Sequence, residues 1–343
     1  MRLPVWIWPG TFLTVCFLMS PLACWYQVPP LTPVFSNTLT PTVTPVTSYS
    51  YVRQWGTIGA ANGQFLSPGG VALDLSGNIY VVDGGNNRVQ KFTTLGGYLS
   101  QLGSSAPATG NGPGQFDGPS GVAVDSSGTV YVADSNNHRI EKFDSSGTYA
   151  AQWDTFGFGP DAISFPSGIV LDGLGHLYVT DVGYVLKFTT SGDFLAQIGS
   201  YDYDYSGGQG TLFGPTDVAL DASNYLYVVD GSHDRINKFT RGGAYVNRWG
   251  SGGNGNLQFA IPQWLAVDGQ GYVYVSDFEN NRIQKMDSNG DYVTQWGTYY
   301  SVGSSGPGGN GQFYYPSGIV VDPAGNVFVA DQYNNRIEVF KPN

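Results

Sequence analysis

The chain has 343 residues, of which 12% are charged, 41% hydrophobic and 15% aromatic, with 49 Gly and 20 Pro. Its net charge of −11 argues against nucleic acid or an anionic membrane surface as a partner, because both select Lys/Arg clusters. The length is ample for a large core without metal or disulfide, and no stretch carries a helical apolar period long enough to assign a helix.

Residues 1–24 read as an export signal. Arg2 supplies the positive start, and 11–19 is a short apolar run containing Phe12, Leu13, Val15, Phe17 and Leu18. It ends in Pro21-Leu22-Ala23-Cys24, similar to a bacterial lipoprotein signal in which Cys24 is acylated, although Pro21 stands where a Leu-like residue is usual. The only membrane contact expected is this lipid anchor. Both cysteines, Cys16 and Cys24, fall here, so the folded part contains none. Residues 25–48, rich in Pro and Thr, read as an extended tether. A secreted or cell-envelope protein is the expectation.

Residues 49–56 (Tyr-Ser-Tyr-Val-Arg-Gln-Trp-Gly) form a strand pattern with no partner beside it in sequence. Its counterparts lie at 98–103, 149–154, 194–199, 245–250 and 292–297, each closing a longer repeat, and the last repeat stops short of one. A closed ring of sheets explains that order, because the first strand completes the last sheet. The second repeat shows the plan. Pro119 to Asp125, Val130 to Asp134, Arg139 to Asp144 and Tyr149 to Trp153 are four strands, a to d, joined by short turns. The Asp ending strand a recurs at 74, 125, 172, 221, 268 and 322, a spacing of 47 to 54 residues that suits four-stranded blades. Apolar runs such as Ile79-Tyr-Val-Val82 imply burial on both faces, as in a sheet packed between neighbouring sheets. Asp-x-x-Gly segments (Asp125 to Gly128, Asp322 to Gly325) supply the turns.

Three elements of the repeat, Pro-x-Gly-[Val/Ile], Tyr-Val-x-Asp and Asn-x-Arg-[Ile/Val], resemble the NHL repeat family, most closely at Asn137-His138-Arg139-Ile140. The resemblance covers about residues 49–343. It implies an all-β fold, a six-bladed β-propeller of four-stranded antiparallel blades closed by strand 49–56. It leaves function open, since the family includes protein-binding, RNA-binding and lyase members. The family's zinc-dependent lyases need His at channel-facing positions. His176 is placed in an a–b turn, and His138 and His233 in b–c loops.

An Asp five residues before the Arg of strand c recurs as Asp83/Arg88, Asp134/Arg139, Asp230/Arg235, Asp277/Arg282 and Asp331/Arg336, and reads as a charge-assisted bond that fixes each hairpin. Blade three departs, leaving Asp181 with no Arg. Small residues follow the Pro of strand a in most repeats, but blade four has Thr216-Asp217 and blade five Gln263-Trp264. A carboxylate and an indole are thus expected at the channel mouth, suited to a hydroxylated or cationic ligand. Tyr201, Asp202, Tyr203, Asp204, Tyr205 and Ser206 enter blade four. Asp202, Asp204 and Ser206 resemble the first half of an EF-hand calcium loop, but Phe213 stands where its Glu belongs. Calcium is the one cofactor considered.

The expectation is a monomeric, non-catalytic binding scaffold. It would hold a protein or glycan on the face carrying its d–a and b–c loops, through Tyr201, Tyr203, Tyr205, Asp181, Gln263, Trp264 and Asp217, with Tyr299, Tyr300, Tyr314 and Tyr315 across the rim. The alternative is a lyase or hydrolase acting at the channel mouth near Asp217.

Overall fold

A computed structural model describes residues 46–103, 109–154, 157, 159–203, 205–299 and 309–343. Six four-stranded antiparallel sheets follow one another around a central channel, each ordered a-b-c-d from the axis outward. The sixth is composite. Pro316–Val321, Val327–Asp331 and Arg336–Pro342 supply its strands a to c, and Tyr49–Trp55 adds the outer strand d. That strand runs antiparallel to Arg336–Pro342, in a register from Tyr49 opposite Pro342 to Trp55 opposite Ile337, with an irregularity at Val52. The closure expected from the sequence is therefore the one observed.

Burial follows from the apolar pattern. Every residue of the b strands Ile79–Asp83, Val130–Asp134, Val273–Asp277 and Val327–Asp331 is buried. The apolar side chains sort into six clusters, one at each junction between neighbouring blades. The last of these joins Tyr49 and Tyr51 from the leading strand to Phe340 and Trp296, so closure buries aromatic surface as well as pairing backbone.

The repeated polar residues hold the corners. In each pair the Asp accepts from Arg Nε at 2.7–2.8 Å, with both side chains at least nine-tenths buried. The Asp also caps the incoming d–a connection, as where Asp83 Oδ1 accepts the Leu66 N–H at 2.7 Å. Asp181 does without an Arg. Its carboxylate accepts the N–H groups of Ser164, Phe165 and Val182 at 2.6–2.8 Å.

The residue just before each Arg adopts a left-handed conformation: Asn87, His138, Asp234, Asn281 and Asn335 have φ of 51–55°. Asn and Asp tolerate that region best. The turn sends the side chain sideways to the next blade. Asn87 accepts the Gly118 N–H, Asp234 the Ile261 N–H, Asn281 the Tyr315 N–H and Asn335 the Ser67 N–H, all at 2.8–2.9 Å. His138 makes the corresponding link through Nδ1 to the Ser164 carbonyl. The middle residue of the Asn-x-Arg signature is thus a latch between blades.

Candidate functional site

Strand a of each blade starts at the face that carries the d–a and b–c loops and ends at the opposite face, in an Asp-x-x-Gly turn or, in blade four, Asp221-Ala-Ser-Asn224. The channel therefore has two ends. At the loop end, Gly69, Ser120, Ser167, Gln263, Trp264 and Ser317 line a vestibule of about 290 Å³. At the other end a larger cavity, about 680 Å³, is walled by the later residues of all six a strands and opens between the turns that contain Asp74 and Asp322.

Asp217 and Trp264 form the neck between them. Both replace the Gly of Pro-x-Gly, and glycines elsewhere in the ring make room for them. A Cβ on Gly168 would lie 2.2 Å from Asp217 Oδ1 and 2.4 Å from its Cα. A Cβ on Gly70 would lie 3.1 Å from Trp264 Cη2, so the indole reaches from blade five past blade six to blade one. Trp264 borders both cavities and separates them. Asp217 is only 6% exposed. Its Oδ2 accepts the Leu265 N–H at 3.0 Å, and the Val218 N–H is its other donor. Burial outweighs these two donors and pushes the pKa up to about 8, so the group holds its proton at neutral pH. The sequence places this pair at the channel mouth. They lie deeper, because strand a has already entered the ring by its third residue.

The loop entering blade four is ordered by Asp202. A short parallel pair, Ser200–Tyr201 with Thr211–Leu212, brings Asp202 inward until it is 2% exposed. Its carboxylate accepts the N–H groups of Ser206 at 3.2 Å and Gly207 at 2.7 Å, and lies 3.1 Å from His233 Nε2. With Phe213 where the twelfth-position Glu belongs, the described residues do not complete a calcium loop. No group of three His, Cys, Asp or Glu among them is arranged to hold a metal ion. Asp204, Tyr300 and Cys24 lie outside the described residues.

With Asp202 turned in, Tyr203 and Tyr205 are turned out, 81% and 68% exposed, while Tyr201 is half-buried between Tyr184, Tyr203 and Phe213. A second aromatic group stands on blades five and six. Phe278 stacks on Tyr315 at 4.6 Å, Tyr315 on Tyr314 at 4.8 Å, and Tyr333 packs edge-on against both tyrosines. Phe165, Leu66 and Ile261 are exposed on the same face. Sequence reasoning missed these last three. The available signal is their position one or two residues before the Pro that opens strand a. Asp181 is 3% exposed and spent on its three N–H donors, whereas Gln263 faces the vestibule.

Blade number, strand order and closure define a six-bladed β-propeller. The NHL repeat family model matches residues 65–92, 116–143 and 313–340, which are blades one, two and six. The chain therefore carries three NHL repeats on a six-bladed β-propeller. It is 37% identical over 94 residues to human NHL repeat-containing protein 3, an alignment that spans 26% of each chain. It is 33% identical over 91 residues to a probable peptidyl-alpha-hydroxyglycine alpha-amidating lyase of Caenorhabditis elegans, again over 26% of each. Among solved structures it is similar to a gluconolactonase from Xanthomonas campestris, with a TM-score of 0.59 and 16% identity, covering 88% of this chain and 99% of that one. That similarity is one of fold.

Proposed function

We propose that the protein is an exported binding module that captures a protein or glycan partner on its loop face. The observation that carries this is the crown of exposed apolar and aromatic side chains around the loop-end vestibule: Leu66, Phe165, Tyr203, Tyr205, Ile261 and Tyr333. Large side chains left exposed together on a rigid scaffold are what recognition surfaces are built from. The stacked tyrosines add flat faces suited to a sugar ring or an aliphatic side chain. In this reading residues 1–24 direct export, acylated Cys24 and the segment 25–48 hold the propeller off the surface, and mass spectrometry of the mature N-terminus tests that arrangement.

The experiment for the surface is a pull-down with the full-length protein and a Tyr203→Ala/Tyr205→Ala/Tyr333→Ala variant. We expect the variant to melt at the native temperature and to lose the partner that the native protein retains. A variant that keeps every partner sinks the loop-face reading.

A second reading is favoured by one observation, the buried carboxyl of Asp217 at the channel neck, whose pKa burial pushes up to about 8. A carboxylic acid kept neutral near pH 7 is a competent general acid. The lyase and the lactonase named above make a screen of amide, ester and lactone substrates the direct test. Turnover abolished in Asp217→Asn moves the assignment to an enzyme.

A further inference from the structure

The larger cavity lies at the far end of the channel from the loop face and has no part in the reading above. Its size, about 680 Å³, falls in the range of small-molecule sites. Its wall is a sixfold apolar ring that includes Val71, Val122, Ile169, Val218, Leu265 and Ile319. The indole of Trp264 forms its inner end, and among the described residues Asp217 is the one ionisable group lining it away from the mouth. At the mouth stand Asp322 and Asp74, the latter paired with Lys91 at 3.2 Å, and among the described residues no Lys or Arg lines the cavity itself.

The carboxyl of Asp217 is under-supplied compared with the other buried aspartates of the blades. Asp83, Asp134, Asp230, Asp277 and Asp331 each have an arginine, and Asp181 has three N–H donors. Asp217 has two N–H donors and no cation. Its neighbours Gly168, Thr180, Val229 and Leu265 bring no ionisable group to it. A carboxylate offers about four acceptor sites, so capacity remains for a further donor. Apolar walls and a cation-free acceptor beside an aromatic face together select a cation with a hydrophobic body.

We infer that this cavity is a binding site for a compact hydrophobic amine, which enters from the turn face and sets its ammonium against Asp217 and Trp264. The apolar body fills the ring of aliphatic side chains below. Binding the ammonium requires Asp217 in its ionised form, so a fraction of a proton leaves the protein as the ion pair forms.

Isothermal titration of the full-length protein with 2-(1-naphthyl)ethylamine and with the matched neutral alcohol, 2-(1-naphthyl)ethanol, tests this. We expect the amine to bind at least about tenfold more tightly than the alcohol at pH 7.5. Heats measured in buffers of different ionisation enthalpy should show proton release with the amine alone. Asp217→Asn should abolish the preference and the proton release. Asp217→Gly, which restores the Pro-x-Gly of the neighbouring blades, serves if the Asn variant does not fold. Absence of binding up to about 1 mM, equal or tighter binding of the alcohol, or a preference that survives in the folded Asp217 variant overturns the inference. Each outcome reads the turn-face cavity, and partner capture on the loop face is scored separately.

Discussion

At the second position after the Arg of strand c, blades one and five carry Gln90 and Gln284, whereas blades two and six carry Glu141 and Glu338. In the glutamine blades Oε1 accepts a loop N–H, from Gly63 or Leu257, at 2.9 Å. Nε2 donates to a backbone carbonyl, of Gln64 or Gln258, at 2.7 Å and to the corner Asp. The glutamates keep the first contact, with Gly114 and Gly311. Their Oε2 takes the place of Nε2, is buried, and has no hydrogen-bond partner among the described residues. A carboxylate there faces acceptors, so the fold favours the acid form. Burial raises the pKa of Glu141 to about 7 and that of Glu338 to about 8, although Arg139 and Arg336 pull the other way. Because both values lie above the unfolded ones, the associated stability is complete below about pH 4.5 and is lost as pH rises through 7 to 8. We predict that Glu141→Gln and Glu338→Gln each stabilise the protein by about 1–2 kcal/mol at pH 8 and by almost nothing at pH 5, measured by chemical denaturation.

At the scale of the element, the left-handed residue before each Arg and the leading strand both join units that sequence separates. Asn335 links blade six to Ser67 of blade one, beside the seam where the ring closes. Asn335→Ala removes that acceptor and places alanine at positive φ, which should cost about 1–3 kcal/mol. Asn335→Gly keeps the turn but loses the bond, so its cost should be smaller by about 1 kcal/mol. Equal costs would mean that backbone conformation, not the latch, explains the asparagine. Strand Tyr49–Trp55 is the other joint, with Tyr49 stacked on Trp296 at 4.4 Å and its hydroxyl 3.1 Å from Lys285 Nζ. Arg in place of Tyr51 would set a charge against Phe340 and Glu338, so Leu is the cleaner probe of aromatic packing. Tyr51→Leu should lower the melting temperature by a few degrees through the lost edge-on contact with Phe340.

Over the whole molecule two sets of carboxyls oppose each other. Asp74, Asp125, Asp144 and Asp172 sit below the usual range in the folded state, held there by turn N–H and side-chain donors, in all but the exposed Asp144 despite partial burial. Their contribution is present above about pH 4 and fails in stronger acid. Asp83, Asp134, Asp181, Asp277 and Asp331 are pushed upward by burial, with Asp217, Glu141 and Glu338 highest. Theirs is lost as pH rises above the usual carboxylate range, a loss that for Asp217, Glu141 and Glu338 extends to about pH 7–8. Thermal melts from pH 3 to 9 should therefore peak at about pH 5–6 and fall by several degrees toward pH 9. A flat profile between pH 6 and 9 would mean these acids are ionised without penalty.

Blade number, turn positions, the Asp–Arg corners and the permuted leading strand were all legible along the chain. Each is a local pattern repeated at a fixed spacing, and repetition makes a weak signal readable. Asp217 and Trp264 stood out for the same reason, as breaks in that repetition. Their consequences were not legible. That the indole meets Gly70 of blade one, that Gly168 admits the carboxyl, and that the channel is divided into two cavities depend on side chains brought together from distant repeats. The inward turn of Asp202, which leaves Tyr203 exposed, sets its carboxylate beside His233 from elsewhere in the fold. Sequence alone determined the architecture because blade formation is governed by local periodicity and turn chemistry. Only tertiary structure decided which polar groups are buried and which aromatic faces are exposed, because burial is a property of the closed ring and of no single strand.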